Sequence, residues 1–88
     1  MTLETASFAA VIRASRAVLG WSQSTLAQKA GIATVSIARI ESGSINPRIN
    51  TARNLIRTFQ DAGLEILQDE PRGGFTLIAS EAVFEAEI

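Results

Sequence analysis

Residues 21–43, WSQSTLAQKAGIATVSIARIESG, constrain this chain more than any other stretch. They read as two short helices joined by a glycine turn, with apolar residues where two crossing helices must touch. Ala27 follows Gln23 by four residues and Gly31 follows Ala27 by four, after which Ile32, Ile37 and Ile40 continue the helical rhythm. Glycine at position 31 permits the left-handed backbone that ends a helix sharply. The small side chain of Ala27 lets the second of the two helices cross close to the first.

The flanking sequence supplies elements to pack against this pair. Phe8, Val11, Ile12, Ser15, Val18 and Leu19 lie on one face of a helix expected over Ser7–Leu19, which Gly20 stops. Ser22 is an N-cap residue for the next helix, and Trp21 and Leu26 have the spacing of a hydrophobic staple, which makes Trp21 a packing residue rather than a base-stacking one. A third helix is expected from Thr34 to Glu41 or Ser42, with Ile37 and Ile40 inward. Residues 42–47 are a loop by composition. A fourth helix, from Pro47 or Arg48 to Ala62, places Ile49, Ala52, Leu55, Ile56 and Phe59 on one face and ends at Gly63. Beyond it the period changes. LEILQDE and FTLIAS are short β-compatible runs around the turn signal Pro71-Arg72-Gly73-Gly74, so a hairpin is expected. The closing EAVFEAEI fits a strand or a short helix equally well.

With 88 residues the chain forms one small core. The absence of cysteine excludes disulfides and thiolate metal sites, and the absence of histidine removes the commonest general base. No glycine-rich phosphate loop or paired-carboxylate motif stands in their place, so neither an enzyme nor a cofactor is expected. No apolar run approaches the roughly 20 residues of a membrane span, and the first residues lack the pattern of a secretory signal. A soluble, cytoplasmic protein is the expectation. The net charge of −1 hides an asymmetry. Residues 1–63 carry seven basic and three acidic groups, a net +4, whereas residues 64–88 carry one basic and six acidic groups, a net −5. That division suits a basic face for DNA joined to a segment that stays away from phosphate.

Residues 21–43, with the helices on either side, resemble the helix-turn-helix of the lambda repressor and Cro (XRE) family, over roughly residues 5–62. The resemblance implies a mostly α fold: a four-helix helix-turn-helix domain over residues 1–63, with a C-terminal β-hairpin or strand extension over 64–88. It also implies double-stranded DNA as partner, with the second helix of the motif in the major groove. Once Ile37 and Ile40 face the core, Thr34, Val35, Ser36, Ala38 and Arg39 remain outward or sideways. The family's reading positions fall on Thr34, Val35, Ser36 and Arg39. An arginine there can bond in parallel to guanine O6 and N7, and Val35 can pack on a thymine methyl. Gln23 resembles the family glutamine that bonds to a backbone phosphate, at a helix N-terminus whose free amides favour an anion. Ser44 and Arg48 flank the loop that in this family runs along the sugar-phosphate backbone. Arg16 and Glu41 resemble the family's structural arginine–glutamate pair. Where many members have Ser or Thr, this chain has Ala33, so the third helix is either less well capped or capped by Thr34.

Two functions compete on these grounds. The first is a sequence-specific transcriptional regulator, a homodimeric repressor held together through Leu64, Ile66, Phe75, Leu77 and Ile78. The second is a protein-binding module of the same fold, an antitoxin or antiactivator whose partner is a toxin or a transcriptional activator. The acidic, apolar C-terminal segment and the sparse positive charge of the loop favour the latter.

Overall fold

The expected periodicities become five helices and one hairpin in the computed structural model, which describes residues 5–69 and 74–85. They are α1 (Thr5–Leu19), α2 (Gln23–Ala30), α3 (Thr34–Glu41), α4 (Ile49–Asp61), β1 (Leu64–Asp69), β2 (Gly74–Ala79) and α5 (Glu81–Glu85). Among the described residues no helix is long and apolar enough to cross a membrane.

The core gathers from every part of the chain. Phe8, Ile12 and Leu19 of α1 meet Leu26, Ala27 and Ala30 of α2, Ile37 and Ile40 of α3, and Leu55 and Phe59 of α4. Leu64 and Val83 belong to the same cluster, so the apolar core continues past residue 63. Trp21 does pack: its ring stacks on Phe59 with centroids 5.9 Å apart. The Lys29 ammonium lies 5.0 Å from the Trp21 ring centre, a cation–π contact that covers the indole's outer face.

Helix ends follow from local chemistry. Ser22 caps α2 by accepting a 3.0 Å hydrogen bond from the Thr25 amide. Gly31, at φ 69°, closes α2 in the left-handed conformation while the Ile32 amide bonds back to the Ala27 carbonyl at 2.9 Å. No atom would obstruct a Cβ at Gly31, so glycine is needed there for its backbone and not for space. Gly63 differs: it has φ 103° and would also place a Cβ 3.0 Å from Val83 Cγ2. Its missing side chain is the seat of α5.

One expectation needs correction, and two open alternatives are decided. Ile49 does not join the inward face of α4; it is 58% exposed, because it is the first helical residue and precedes the stretch that packs. Thr34 does not cap α3. It is the first helical residue, and Ala33 holds the cap position without a side-chain bond. In the closing segment helix prevails over strand across Glu81–Glu85, with Val83 inward and Phe84 exposed; residues 86–88 lie outside the described residues, as does the Pro71–Gly73 part of the predicted turn.

The hairpin register pairs Leu64 with Ala79, Ile66 with Leu77 and Gln68 with Phe75 on one face, and Glu65 with Ile78 and Leu67 with Thr76 on the other. The first face rests on the helices, β1 against α4 and β2 against α1. A lone hairpin is marginal in water, and this packing supplies what it lacks. Of the five residues expected at a dimer contact, Leu64, Ile66 and Leu77 are therefore engaged in the protomer's own core. Phe75 is half-buried on the same face, and Ile78 faces outward, 42% exposed.

One polar atom in the core has no counterpart. Ser15 is fully buried, and its Oγ has no hydrogen-bond partner among the described residues. Leaving such a group unsatisfied costs about 1–3 kcal/mol, so Ser15→Ala should stabilise the fold by about 1 kcal/mol. A higher urea midpoint with an unchanged slope would show it; a lower midpoint would mean that the hydroxyl finds a partner.

Candidate nucleic-acid interface

The turn between α2 and α3 sets the recognition geometry. Ala27 and Ala30 on α2 are buried against the Ile37 side of α3, so the opposite side of α3 faces solvent. Thr34, Val35 and Arg39 are exposed and Ser36 is half-buried. Val35, at 56%, is an unusually bare aliphatic side chain for a helix otherwise anchored by two isoleucines. Among the described residues no side chain bonds or ion-pairs with the Arg39 guanidinium. Its five N–H donors are unengaged and at the outer surface.

Helix starts contribute donors beside this face. Because Ala33 provides no side-chain cap, the first amides of α3 at Thr34 and Val35 keep no capping partner, while those of Ser36 and Ile37 turn back to the Ala33 carbonyl. At α2 the Ser22 hydroxyl takes the Thr25 amide, leaving the amides at Gln23 and Ser24 as the anion-facing pair.

Gln23 is held rather than loose. Its Nε2 donates to Glu41 Oε1 at 3.1 Å, which leaves the second amide hydrogen free. Glu41 is 5% exposed and forms the centre of a buried network. Arg16 Nε donates to Glu41 Oε2 at 2.6 Å and Arg16 Nη2 to Oε1 at 2.9 Å, a two-pronged pairing, while Arg16 Nη1 donates to the Trp21 carbonyl at 2.8 Å. Burial pushes the Glu41 carboxyl up; the hydrogen bonds from Arg16 and Gln23 and the charges of Arg16 and Arg13 outweigh it and hold the carboxyl below its ordinary range. The Arg16 guanidinium is raised, first by its hydrogen bond to Glu41.

Ser44 and Arg48 lie on the exposed α3–α4 loop. The Ser44 hydroxyl shares a 2.7 Å hydrogen bond with the Ser42 hydroxyl, and Ser42 Oγ donates to the Arg39 carbonyl at 3.0 Å, so the loop is tied to the end of α3. Arg48 is the N-cap of α4 and its side chain makes no capping bond.

Two contributors escaped the sequence reading. Arg13 donates from Nη1 to the Glu41 backbone carbonyl and so closes the C-terminus of α3. Asn54 of α4 donates from Nδ2 to the Ala30 carbonyl at 2.7 Å and closes the C-terminus of α2. Neither stands out in the sequence. Arg13 follows the core residue Ile12 on α1, and only the crossing of α1 over α3 gives it a target.

An exposed helix held at its base by a second helix, with a free arginine and open amides on its outer side, defines a helix-turn-helix DNA-binding domain. A helix-turn-helix family model matches residues 12–65, more than half of the chain. No curated protein sequence matches it. The chain belongs to the XRE family of helix-turn-helix proteins, the lambda repressor and Cro type, and is a DNA-binding regulator of that kind.

Proposed function

We propose that this protein is a dimeric transcriptional repressor that reads a palindromic operator through α3. One observation carries the reading: the unpaired Arg39 lies on an exposed helix face within a stretch almost free of acid. From residue 21 to residue 60 the sole acidic residue is Glu41, which is buried and neutralised by Arg16, whereas Lys29, Arg39, Arg48, Arg53 and Arg57 carry positive charge. Thr34, Val35, Ser36 and Arg39 contact bases, and Gln23, Ser44 and Arg48 contact phosphates. A single helix-turn-helix covers few base pairs; two copies place their recognition helices about 34–36 Å apart on successive turns of the duplex.

Arg39→Ala should cost about 1–3 kcal/mol on the operator and relax preference at one base position. Gln23→Ala should weaken all sequences alike. Both effects are read by titrating operator variants, starting from the chain's own upstream DNA. Unchanged affinity and unchanged base preference in Arg39→Ala would remove this residue from the readout.

A second reading, a module that sequesters a toxin or an activator protein, draws on the bare aliphatic groups of Val35, Ile45 and Ile49 around the same surface. Salt separates the two. With about 4–6 phosphates neutralised per dimer, log K should fall against log[salt] with a slope of roughly −4 to −5. A slope near zero, or no binding at low salt, would favour the protein partner.

A further inference from the structure

The wrap that closes α3 takes up both hydrogen-bond donors of Ser44. Ser42 is the C-cap, Gly43 adopts the left-handed conformation at φ 76°, and the Ser44 amide reaches back to the Arg39 carbonyl at 3.0 Å. The Gly43 amide bonds to the Ile40 carbonyl at 3.1 Å in the same wrap. The Arg39 carbonyl also accepts from Ser42 Oγ at 3.0 Å, and Ser42 Oγ lies 2.7 Å from Ser44 Oγ.

Each serine hydroxyl has one proton to give and two lone pairs with which to accept. Because Ser42 gives its proton to the Arg39 carbonyl, Ser44 must donate the bond between the two hydroxyls. Ser44 then has no donor left, with its amide on Arg39 and its hydroxyl on Ser42. An ionised phosphate oxygen only accepts, so in this arrangement Ser44 has nothing to offer it.

Reversing the two hydroxyls removes the conflict. Ser42 turns its proton to Ser44 Oγ, and Ser44 turns its own outward to the phosphate. Both are rotations about a Cβ–Oγ bond, so each proton stays on its own oxygen and no heavy atom has to move. The Arg39 carbonyl keeps the Ser44 amide, and α3 keeps its closing wrap. Resting on the reading of Ser44 as a phosphate contact, we propose that Ser42 is a positioning residue for DNA binding. Its hydroxyl holds Ser44 Oγ in place and, as DNA arrives, turns from the Arg39 carbonyl to Ser44. The bound chain runs from Ser42 O–H to Ser44 O–H to phosphate, each bond polarising the next. Ser42 itself touches no DNA.

Both serines are exposed, so alanine at either leaves the core untouched. The test is a double-mutant cycle over Ser42→Ala and Ser44→Ala in the full chain. Its readout is affinity for duplex DNA of the chain's own upstream region and for a scrambled duplex. Ser44→Ala should weaken binding to both duplexes about tenfold, the effect of losing a hydrogen bond to a charged group. Ser42→Ala should weaken both about threefold, because Ser44 then spreads over three staggered rotamers, of which one points at the phosphate. In the Ser44→Ala background Ser42→Ala should have no further effect, and Ser42→Thr, which keeps the hydroxyl, should bind as the wild type does. The slope of log K against log[salt] should be the same throughout, since no charge is removed.

An equal loss from Ser42→Ala with and without Ser44, or a shallower slope from a displaced Arg48, means that Ser42 only stiffens the loop and overturns the relay. Tighter binding by Ser42→Ala means that Ser42 merely withholds the Ser44 proton, and overturns it too. If Ser44→Ala costs nothing on DNA that the wild type binds, the phosphate contact falls and the relay with it, while readout through Arg39 stands. A wild type that binds neither duplex at low salt overturns the operator reading and the relay together.

Discussion

Glu41→Ala is expected to destabilise the fold by on the order of 3 kcal/mol, the lower end of the range for breaking a buried ion pair. Its oxygens accept from Arg16 Nε, Arg16 Nη2 and Gln23 Nε2, and alanine would leave all three donors without that acceptor. The lower end applies because the Arg16 side chain keeps 21% of its exposure, so water can take over part of the lost pairing. Glu41→Gln keeps the volume and an acceptor but loses the charge, and should fall between wild type and alanine. Urea unfolding of the three proteins measures this. A cost below about 0.5 kcal/mol for both variants would place the pair among surface salt bridges of little consequence.

The same pair sets a pH dependence whose sign follows from the direction of the shift. The folded protein holds the Glu41 carboxyl below its ordinary value, so it binds a proton less readily than the unfolded chain does. Its contribution is fully present above the unfolded glutamate value of about 4.3 and is lost as pH falls through the lower folded value. The stability gap between wild type and Glu41→Gln should therefore be constant near neutrality and shrink in acid. A gap that widened in acid would contradict the assignment.

Much of the helical body was legible in the sequence because its signals are local. The spacing of Leu26, Ile37 and Ile40, the serine before α2 and the glycine after it each act within one turn of helix, and the chain follows them. The misreading of Ile49 and the open choice at EAVFEAEI both arose where a residue's surroundings come from afar. Ile49 has the right spacing to face inward, but at the first helical position no neighbouring element reaches it. EAVFEAEI was undecidable because the helical outcome depends on the space above Gly63, which admits Val83.

The candidate site divides in the same way. Arg39 was legible by elimination, since two isoleucines fix which side of α3 faces solvent. The Arg16–Glu41 pair was legible only through family resemblance, as 25 residues separate its members. That Gln23 joins this pair, and that Arg13 and Asn54 close the ends of α3 and α2, depends on helix crossings that no periodicity encodes. Gln23, which we propose contacts phosphate, is thus tied to the Arg16–Glu41 ion pair. Glu41→Gln should consequently change DNA affinity as well as stability.

Truncation after Gly63 is expected to have the largest effect of all: loss of the folded helical body, and not merely of an appended hairpin. Leu64 and Val83 are 3% and 7% exposed within the same core as Leu55 and Phe59, and Ile66, Leu77 and Ala79 pack against that core. Deleting the side chain of one buried leucine costs about 2–5 kcal/mol, and here several apolar groups would go together. A chain of this length has a total stability of roughly 4–13 kcal/mol, so the loss is comparable to the whole. Residues 1–63 should show weak helical circular dichroism and no cooperative melt at room temperature, whereas Leu64→Ala in the full chain should fold with a lowered midpoint. Helical content and melting close to those of the full chain would make residues 64–88 an independent addition. The effect on DNA binding must be read in the light of this result, because a truncated chain that fails to bind has lost α3 along with any dimer contact. Variants on the exposed outer face of the hairpin, at Thr76 or Ile78, leave the core closed, so they test the proposed dimer separately from folding.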